Sequence, residues 1–355
     1  MTDSRPNVLL ACDSRVRNDY IDAVDLQRLE AFANWDWFEC EGGDIYSSNE
    51  DPATAKELAG RLAAVDGLVV CHGCPTLGES VLQQAPKLKI IGELEGDRFA
   101  SRLDVEAAWA RGICTVDTTN GSSYPVAEWA LGLILVSLRN AGSHFRRIIA
   151  GGGDYDRSQD QGYLRGDLTG KRVGLIGCGH IGRRLIKFLK PFETEIWVHD
   201  PYIARETADV VGFTKTSLDN VLRQCDVIVS LVPQTPRTEG MIGQRELELI
   251  PSGRVLVNVS RGKVIDSAAL VERLRRGDIV AGLDVFNPEP FGDHEIIHFD
   301  NVFLSPHIAG VTAASFPRFF TLMVDELQRF FAGHETLFDL TLQSIANRRG
   351  SDPDA

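Results

Sequence analysis

Short apolar runs alternate with stretches of helical spacing along most of the chain, a pattern that predicts repeated strand–helix–strand units and parallel sheets. In the first third, Val8–Ala11, Leu68–Cys71, Lys89–Ile91 and Ile113–Val116 are predicted strands, with helices over Pro52–Ala64 and Leu103–Arg111. Turn and cap residues at Asn120-Gly-Ser-Ser-Tyr-Pro125 mark a boundary, with Pro125 suited to a first helical position. The helix predicted from Val126 to Ala150 is apolar on nearly every side through its first half, so it should be buried all round, between domains or between subunits. A glycine-rich polar stretch from Gly151 then leads into a second domain. There the predicted strands are Val173–Ile176, Ile196–His199, Val227–Leu231, Val255–Val259, Val280–Asp284 and Val302–Leu304. The last helical stretch, Phe316–Phe331, is expected to cross back to the first domain, because the second sheet is already complete. The polar tail from Asn347 to Ala355 is expected to be disordered.

A length of 355 residues agrees with two domains, each able to bury its own core. The formal charge of −13 argues against nucleic acid as a partner, since an acidic surface repels phosphates. No basic block suits an anionic membrane surface. The polar start Met1–Asn7 is not of signal-peptide type, and the most apolar segment, Trp129–Leu138, is far short of the roughly 20 residues that cross a bilayer. Seven dispersed cysteines fit a reducing cytoplasm. Cys71-His-Gly-Cys74 has redox-pair spacing but lacks thioredoxin-like surroundings, so it is read as structural.

The first candidate chemistry is the loop Gly177-Cys178-Gly179-His180-Ile181-Gly182, which follows one predicted strand and opens a helix. In that context Gly177 permits a tight turn, Gly179 lets the backbone approach a pyrophosphate, and Gly182 allows close helix–strand packing. The helix start then presents N–H groups to the anion. The next strand ends in Asp200, 18 residues beyond Gly182. An acid there accepts hydrogen bonds from ribose hydroxyls and repels a 2′-phosphate, favouring NAD over NADP. Flavin is compatible with the loop alone, but the later residues argue against it.

Three later segments place polar groups just beyond a predicted strand, where doubly wound sheets bind ligands. They carry Arg261, then Asp284 and Glu289, then His307. Taken singly, each has an ordinary explanation: a surface arginine, a rigid loop acid between prolines, a helix-capping histidine. As an ordered set behind a dinucleotide loop they suit oxidation of a 2-hydroxy acid. Histidine takes the hydroxyl proton, a carboxylate orients its ring, and arginine grips the substrate carboxylate and polarises the carbonyl.

With Pro233-Gln-Thr-Pro-Arg-Thr-Glu-Gly240, Asn258-Val-Ser-Arg-Gly262, Asp284-Val-Phe-Asn-Pro-Glu-Pro290 and Ser305-Pro-His-Ile-Ala-Gly310, the chain resembles the D-isomer-specific 2-hydroxyacid dehydrogenase family from about Leu68 to Ala332. The resemblance implies two Rossmann-like doubly wound α/β domains, a discontinuous substrate domain over 1–120 plus 311–345 and an NAD-binding domain over 121–310; the polar composition leaves 346–355 as a disordered tail. It implies that Arg261 binds substrate, that His307 is the acid/base and that Glu289 pairs with it. Asp284 would hold the nicotinamide carboxamide, and Pro233, Thr238, Val259, Ser260 and Gly310 would join the cofactor site. It also implies a homodimer formed through the cofactor domain.

One departure from the family stands at Glu93-Leu-Glu-Gly-Asp97, where a small glycine-rich loop normally offers amides to the substrate carboxylate. Three carboxylates near an anionic substrate repel it unless they face solvent or pair with Arg98 or Arg102. One expectation is a hydroxyl-rich substrate, such as a sugar acid, with Glu95 and Gly96 contacting it and His72 and Gly73 reaching the same pocket; the other is that these acids face solvent. From a different class, corepressor-like relatives use NAD as a sensed ligand without turnover. No peptide-docking extension supports that role here.

Overall fold

The computed structural model describes residues 5–43, 47–96, 102–152 and 166–351. The chain divides into two units, Met1–Ser122 with Thr312–Ala355, and Ser123–Val311. Each is a doubly wound parallel sheet with helices, as the alternation of apolar runs predicts.

The first unit holds β1 (Asn7–Cys12), β2 (Asn34–Glu39), β3 (Gly67–Val70), β4 (Ile90–Glu93) and β5 (Cys114–Asp117), in the order β2-β1-β3-β4-β5. All pairings are parallel, so every strand ends on the same edge. Side chains alternate between the two faces. Leu9, Ala11, Leu68, Val70 and Ile91 join one core, and Val8, Leu10, Val69, Ile90 and Val116 join the other. The second core is completed by Phe319, Phe320, Met323, Val324 and Leu327 of the helix Phe316–Phe331.

The pattern reading does not anticipate β2. It is an edge strand that pairs only with β1 and buries only Phe38, so it carries no apolar run. Trp35 and Trp37 are instead half-buried beneath the Arg17 guanidinium. The expected tail also begins too early. A helix runs from Leu342 to Arg349 because Ile345 and Ala346 are buried and Arg349 pairs with Glu106. Residues 352–355 lie outside the described residues.

The second unit holds β6 (Arg172–Ile176), β7 (Glu195–His199), β8 (Thr214–Lys215), β9 (Val227–Ser230), β10 (Val255–Asn258), β11 (Val280–Leu283) and β12 (Val302–Leu304). Their order is β12-β11-β10-β9-β6-β7-β8, all parallel, with the winding reversing between β6 and β9. The strands β9, β10 and β11 are buried at every position, which is why they read as unbroken apolar runs. The expectation misses β8, which has two exposed residues and no apolar signal.

The single long helix expected after Pro125 is two helices, Ser123–Leu138 and Ala141–Ile149. Asn140 breaks it with φ +46°, a left-handed conformation that asparagine tolerates better than most residues. Nor is this segment buried all round within the chain. Leu133, Ile134 and Leu138 enter the core, whereas Leu135, Phe145, Ile148 and Ile149 are exposed, the last at 69%. Among the described residues no helix is long and apolar enough to cross a membrane.

Candidate active site

The glycine loop sits at the carboxyl end of β6, beside the point where the winding of the second sheet reverses. Gly177 turns the chain out of the strand at φ +93°, and a Cβ on it would lie 2.9 Å from Val232 Cγ1. A Cβ on Gly182 would lie 3.0 Å from the Gly177 carbonyl oxygen, so the loop closes tightly on the helix His180–Leu189. No side chain caps that helix at Gly179, and its first turn, His180-Ile181-Gly182, presents N–H groups suited to a pyrophosphate. Asp200, at the end of β7, accepts the Cys178 N–H at 2.9 Å and the Tyr202 N–H at 2.9 Å. The acid is thereby held against the glycine loop, where a ribose belongs. These residues fit a bound NAD.

His307 and Glu289 meet on two loops of the same sheet edge. Nδ1 of His307 lies 2.9 Å from Glu289 Oε2, and Glu289 Oε1 accepts the Phe286 N–H at 2.9 Å. Each side chain is 32% exposed. With Nδ1 engaged, Nε2 is the ring nitrogen left for a ligand. His307 adopts φ +52°, and its amide is directed to the Asp284 carbonyl at 2.9 Å.

Asp284 itself is buried and staples this loop. It accepts from Ser305 Oγ at 2.5 Å, Ile308 N–H at 3.1 Å and Ala309 N–H at 2.9 Å, while Trp129 Nε1 donates to Ser305 Oγ at 3.0 Å. Gly310 continues the same turn. The arrangement fixes the His307 backbone from below, a task the motif reading did not assign to Asp284, Ser305 or Trp129. The tryptophan lies 176 residues from Ser305, so no local spacing reveals it.

Arg261 follows β10. Asn258 Oδ1 accepts the Ser260 N–H at 3.1 Å and its hydroxyl at 2.7 Å, and Asn258 Nδ2 donates to the Arg261 carbonyl at 3.1 Å. Ser260 and Ser230 hydroxyls lie 2.9 Å apart across the neighbouring strand end. A Cβ on Gly262 would fall 2.1 Å from the Phe286 carbonyl oxygen, so only glycine lets the Arg261 loop rest against the loop carrying Glu289. Val259 and Ser260 are buried in this packing. The Thr238 hydroxyl closes its own turn, donating to the Pro233 carbonyl at 2.6 Å and accepting the Thr235 N–H at 2.8 Å.

In the first unit, Glu93 at the end of β4 and Glu95 just beyond it do not face solvent. Glu93 is fully buried and paired with Arg102, which is also buried and whose amide donates to Glu93 Oε2 at 3.1 Å. Burial pushes the Glu93 carboxyl up to about 7 against the pull of Arg102. Glu95 goes the other way. Burial works to raise it, but His72 and Tyr20 beside it prevail and hold it below the usual carboxylate range. His72 Nε2 stands 3.3 Å from Glu95 Oε2, and the Tyr20 hydroxyl donates to the same oxygen at 2.6 Å. The Gly96 N–H is given to Thr119 Oγ1 at 2.9 Å, so that amide is spent within the unit rather than offered to a substrate carboxylate. Gly73 lies in the turn after β3, against the Cys40 carbonyl. Asp97 and Arg98 lie outside the described residues.

Cys71 and Cys74 are both fully buried and join opposite cores, and burial pushes both thiols well above the ordinary thiol range. Such thiols lack the thiolate character that redox pairs need. Among the described residues no group of histidine, cysteine and carboxylate side chains forms a metal site.

Known proteins are similar to this chain over most of its length. The model for the NAD-binding domain of D-isomer specific 2-hydroxyacid dehydrogenases matches residues 131–309. The chain is 34% identical over 285 residues to D-3-phosphoglycerate dehydrogenase of Methanocaldococcus jannaschii, covering 79% of this chain and 52% of that protein. It is 31% identical over 264 residues to glyoxylate reductase of Pyrococcus furiosus, covering 72% and 76%. The chain spans about half the length of the phosphoglycerate dehydrogenases it matches. Among solved structures, an NADPH-dependent glyoxylate/hydroxypyruvate reductase of Sinorhizobium meliloti is similar, with TM-score 0.67 and 28% identity over 98% of this chain and 99% of that one.

Proposed function

Because the chain belongs to the D-isomer-specific 2-hydroxyacid dehydrogenase family, we propose that it transfers a hydride between NAD(H) and a 2-hydroxy or 2-oxo acid. The observation that carries this reading is the 2.9 Å contact between His307 Nδ1 and Glu289 Oε2 in the unit that also bears the glycine loop and Arg261. Bound NAD supplies the hydride acceptor in oxidation and the donor in reduction.

The chain's own residues do the rest. In oxidation the substrate C–H bond breaks with its electron pair leaving as hydride, and the hydroxyl proton passes to His307 Nε2 as the carbonyl forms. Glu289 holds the ring with Nε2 outward and stabilises the imidazolium that results. Arg261 binds the substrate carboxylate and polarises the carbonyl oxygen, a task its planar fork of donors suits. The tethered Asp200 supports NAD over NADP as the preferred dinucleotide.

The substrate proposed is a hydroxyl-rich acid of sugar-acid type. Leu135, Phe145, Ile148 and Ile149 are exposed apolar side chains that a second copy would cover, giving a homodimer. Loss of NADH absorbance against a panel of 2-oxo acids tests the reaction. Turnover supports it, whereas NADH binding without turnover of any member would favour a sensing role.

A further inference from the structure

His307 sits in the left-handed region at φ +52°, a conformation that persists in a side-chain-bearing residue only where its neighbours over-determine it. Its own N–H faces two carbonyls, those of Asp284 at 2.9 Å and Ser305 at 3.0 Å. The next two amides, of Ile308 and Ala309, go one to each oxygen of the Asp284 carboxylate. That carboxylate also receives the Ser305 hydroxyl at 2.5 Å, and the Ser305 oxygen in turn accepts Trp129 Nε1–H at 3.0 Å. An indole N–H only donates and a carboxylate only accepts, so the hydroxyl between them has one orientation.

Trp129 reaches this point because of how its helix is seated. A Cβ on Gly282 of β11 would lie 2.5 Å from Ser137 Oγ and 3.3 Å from Leu133 Cβ, so the helix Ser123–Leu138 rests directly on the strand that leads into Asp284. Trp129, Leu133 and Ser137 fall on one helix face at four-residue spacing, which carries the indole along the strand to its carboxyl edge and Ser305. The following helix, Ala141–Ile149, is seated on β12 in the same manner: a Cβ on Gly142 would lie 2.9 Å from Phe303 Cδ2. Both strands whose loops meet at His307 are thus backed by this helix pair. The indole is its one side chain whose donor enters the hydrogen bonds of the Asp284 carboxylate through Ser305.

We propose that Trp129 is a positioning residue for hydride transfer: through Ser305 and Asp284 it holds the His307 imidazole where it exchanges the substrate proton. The inference rests on the 2-hydroxy acid reading above, and every residue in it belongs to the second unit. Removing the indole N–H frees the Ser305 hydroxyl to turn, loosens the Asp284 cradle and lets the strained His307 backbone relax. A displacement of the ring by about 1 Å is enough to slow the proton transfer, because such steps depend steeply on the approach of the reacting atoms.

The test is stopped-flow single turnover on the full chain, with NADH bound in advance and an excess of the 2-oxo acid that the wild type reduces fastest. Trp129→Phe keeps a ring in place and removes the N–H. It should lower the rate constant of NADH oxidation about tenfold, while the amplitude and the NADH affinity read by fluorescence keep their wild-type values. Ser305→Ala should do the same. The double variant should be slower by about tenfold rather than about a hundredfold, since both changes break one chain of contacts. A purely structural role would instead cut the amplitude, through misfolded molecules, at an unchanged rate constant. That outcome, a wild-type rate constant in Trp129→Phe, or losses that multiply in the double variant would overturn the inference and leave the reaction class standing. A wild type that turns over no 2-oxo acid would overturn both.

Discussion

At the carboxyl edge of the second sheet, Gly177, Asp200, Arg261, Glu289 and His307 stand on strand-end loops, each held by hydrogen bonds in which backbone groups take part. At the same edge of the first sheet, Tyr20, His72 and Glu95 come from three separate segments and meet through their side chains. Asp200 is tethered to Cys178, Arg261 is framed by Asn258 only three residues away, and Glu289 is fixed by Phe286. Tyr20 and Glu95, by contrast, are 75 residues apart. The loops of the second sheet are thus fixed largely through their backbone. The features that distinguish this chain are carried by long-range contacts between side chains.

The comparison is broken most directly at His307. His307→Asn should keep a hydrogen-bonding ring substitute near Glu289 but supply no titratable nitrogen, so kcat should fall by roughly 10²–10⁴-fold. NADH affinity, read by fluorescence titration, should change little, because the glycine loop and Asp200 are untouched. Full activity in this variant would remove the acid/base assignment and with it the contrast between the two edges.

The next effect is on stability and belongs to the first unit. Arg102→Met leaves Glu93 buried without its partner, which should cost about 3–5 kcal/mol in denaturant unfolding. The double variant Glu93→Leu with Arg102→Met should recover most of that loss, since a buried pair replaced by apolar groups of similar volume is often near neutral. If the double variant is as unstable as the single, the segment after β4 depends on the ion pair itself rather than on filled volume.

These two edges also differ in how far the sequence exposes them. The apolar runs of β9, β10 and β11 are visible because every position is buried, and the glycine loop is visible because Gly177 and Gly182 meet steric demands that few residues satisfy. The edge strands β2 and β8 are not visible, since burial on one side or none leaves no apolar pattern. The break at Asn140 is hidden because apolar residues continue on both sides of it. The acidic segment after β4 stands out by composition, yet composition does not reveal that Glu93 turns inward to Arg102 while Glu95 turns to Tyr20. Tyr20 itself lies in an undistinguished helix end, and only the fold brings it to the strand edge.

A smaller effect tests the dinucleotide side. Asp200→Ala removes the acceptor for ribose hydroxyls and the repulsion of a 2′-phosphate, so the ratio of kcat/KM for NAD over NADP should fall about tenfold, the scale of one charged hydrogen bond. The same change frees the Cys178 and Tyr202 amides, so part of the loss should appear as weaker NAD binding. An unchanged ratio would mean that preference is set elsewhere on the loop.

The smallest effect is a pH dependence that separates the two neighbouring acids. Glu95 is held below the usual carboxylate range when folded, so its contribution to stability is present above its unfolded value, near 4.5, and is lost as pH falls through the folded value. Glu93 has the opposite sign. Its carboxyl is pushed up to about 7, so its contribution is present below 4.5 and is lost as pH rises through 7. A wild-type melting curve alone mixes the two. The difference in Tm between wild type and Glu95→Gln isolates the first: it should favour the wild type at neutral pH and shrink steadily on acidification below about 4.5. If the gap is flat with pH, the Tyr20 hydroxyl and His72 hold glutamine as well as they hold the carboxylate. The contacts at Glu95 would then be a fit of shape rather than of charge.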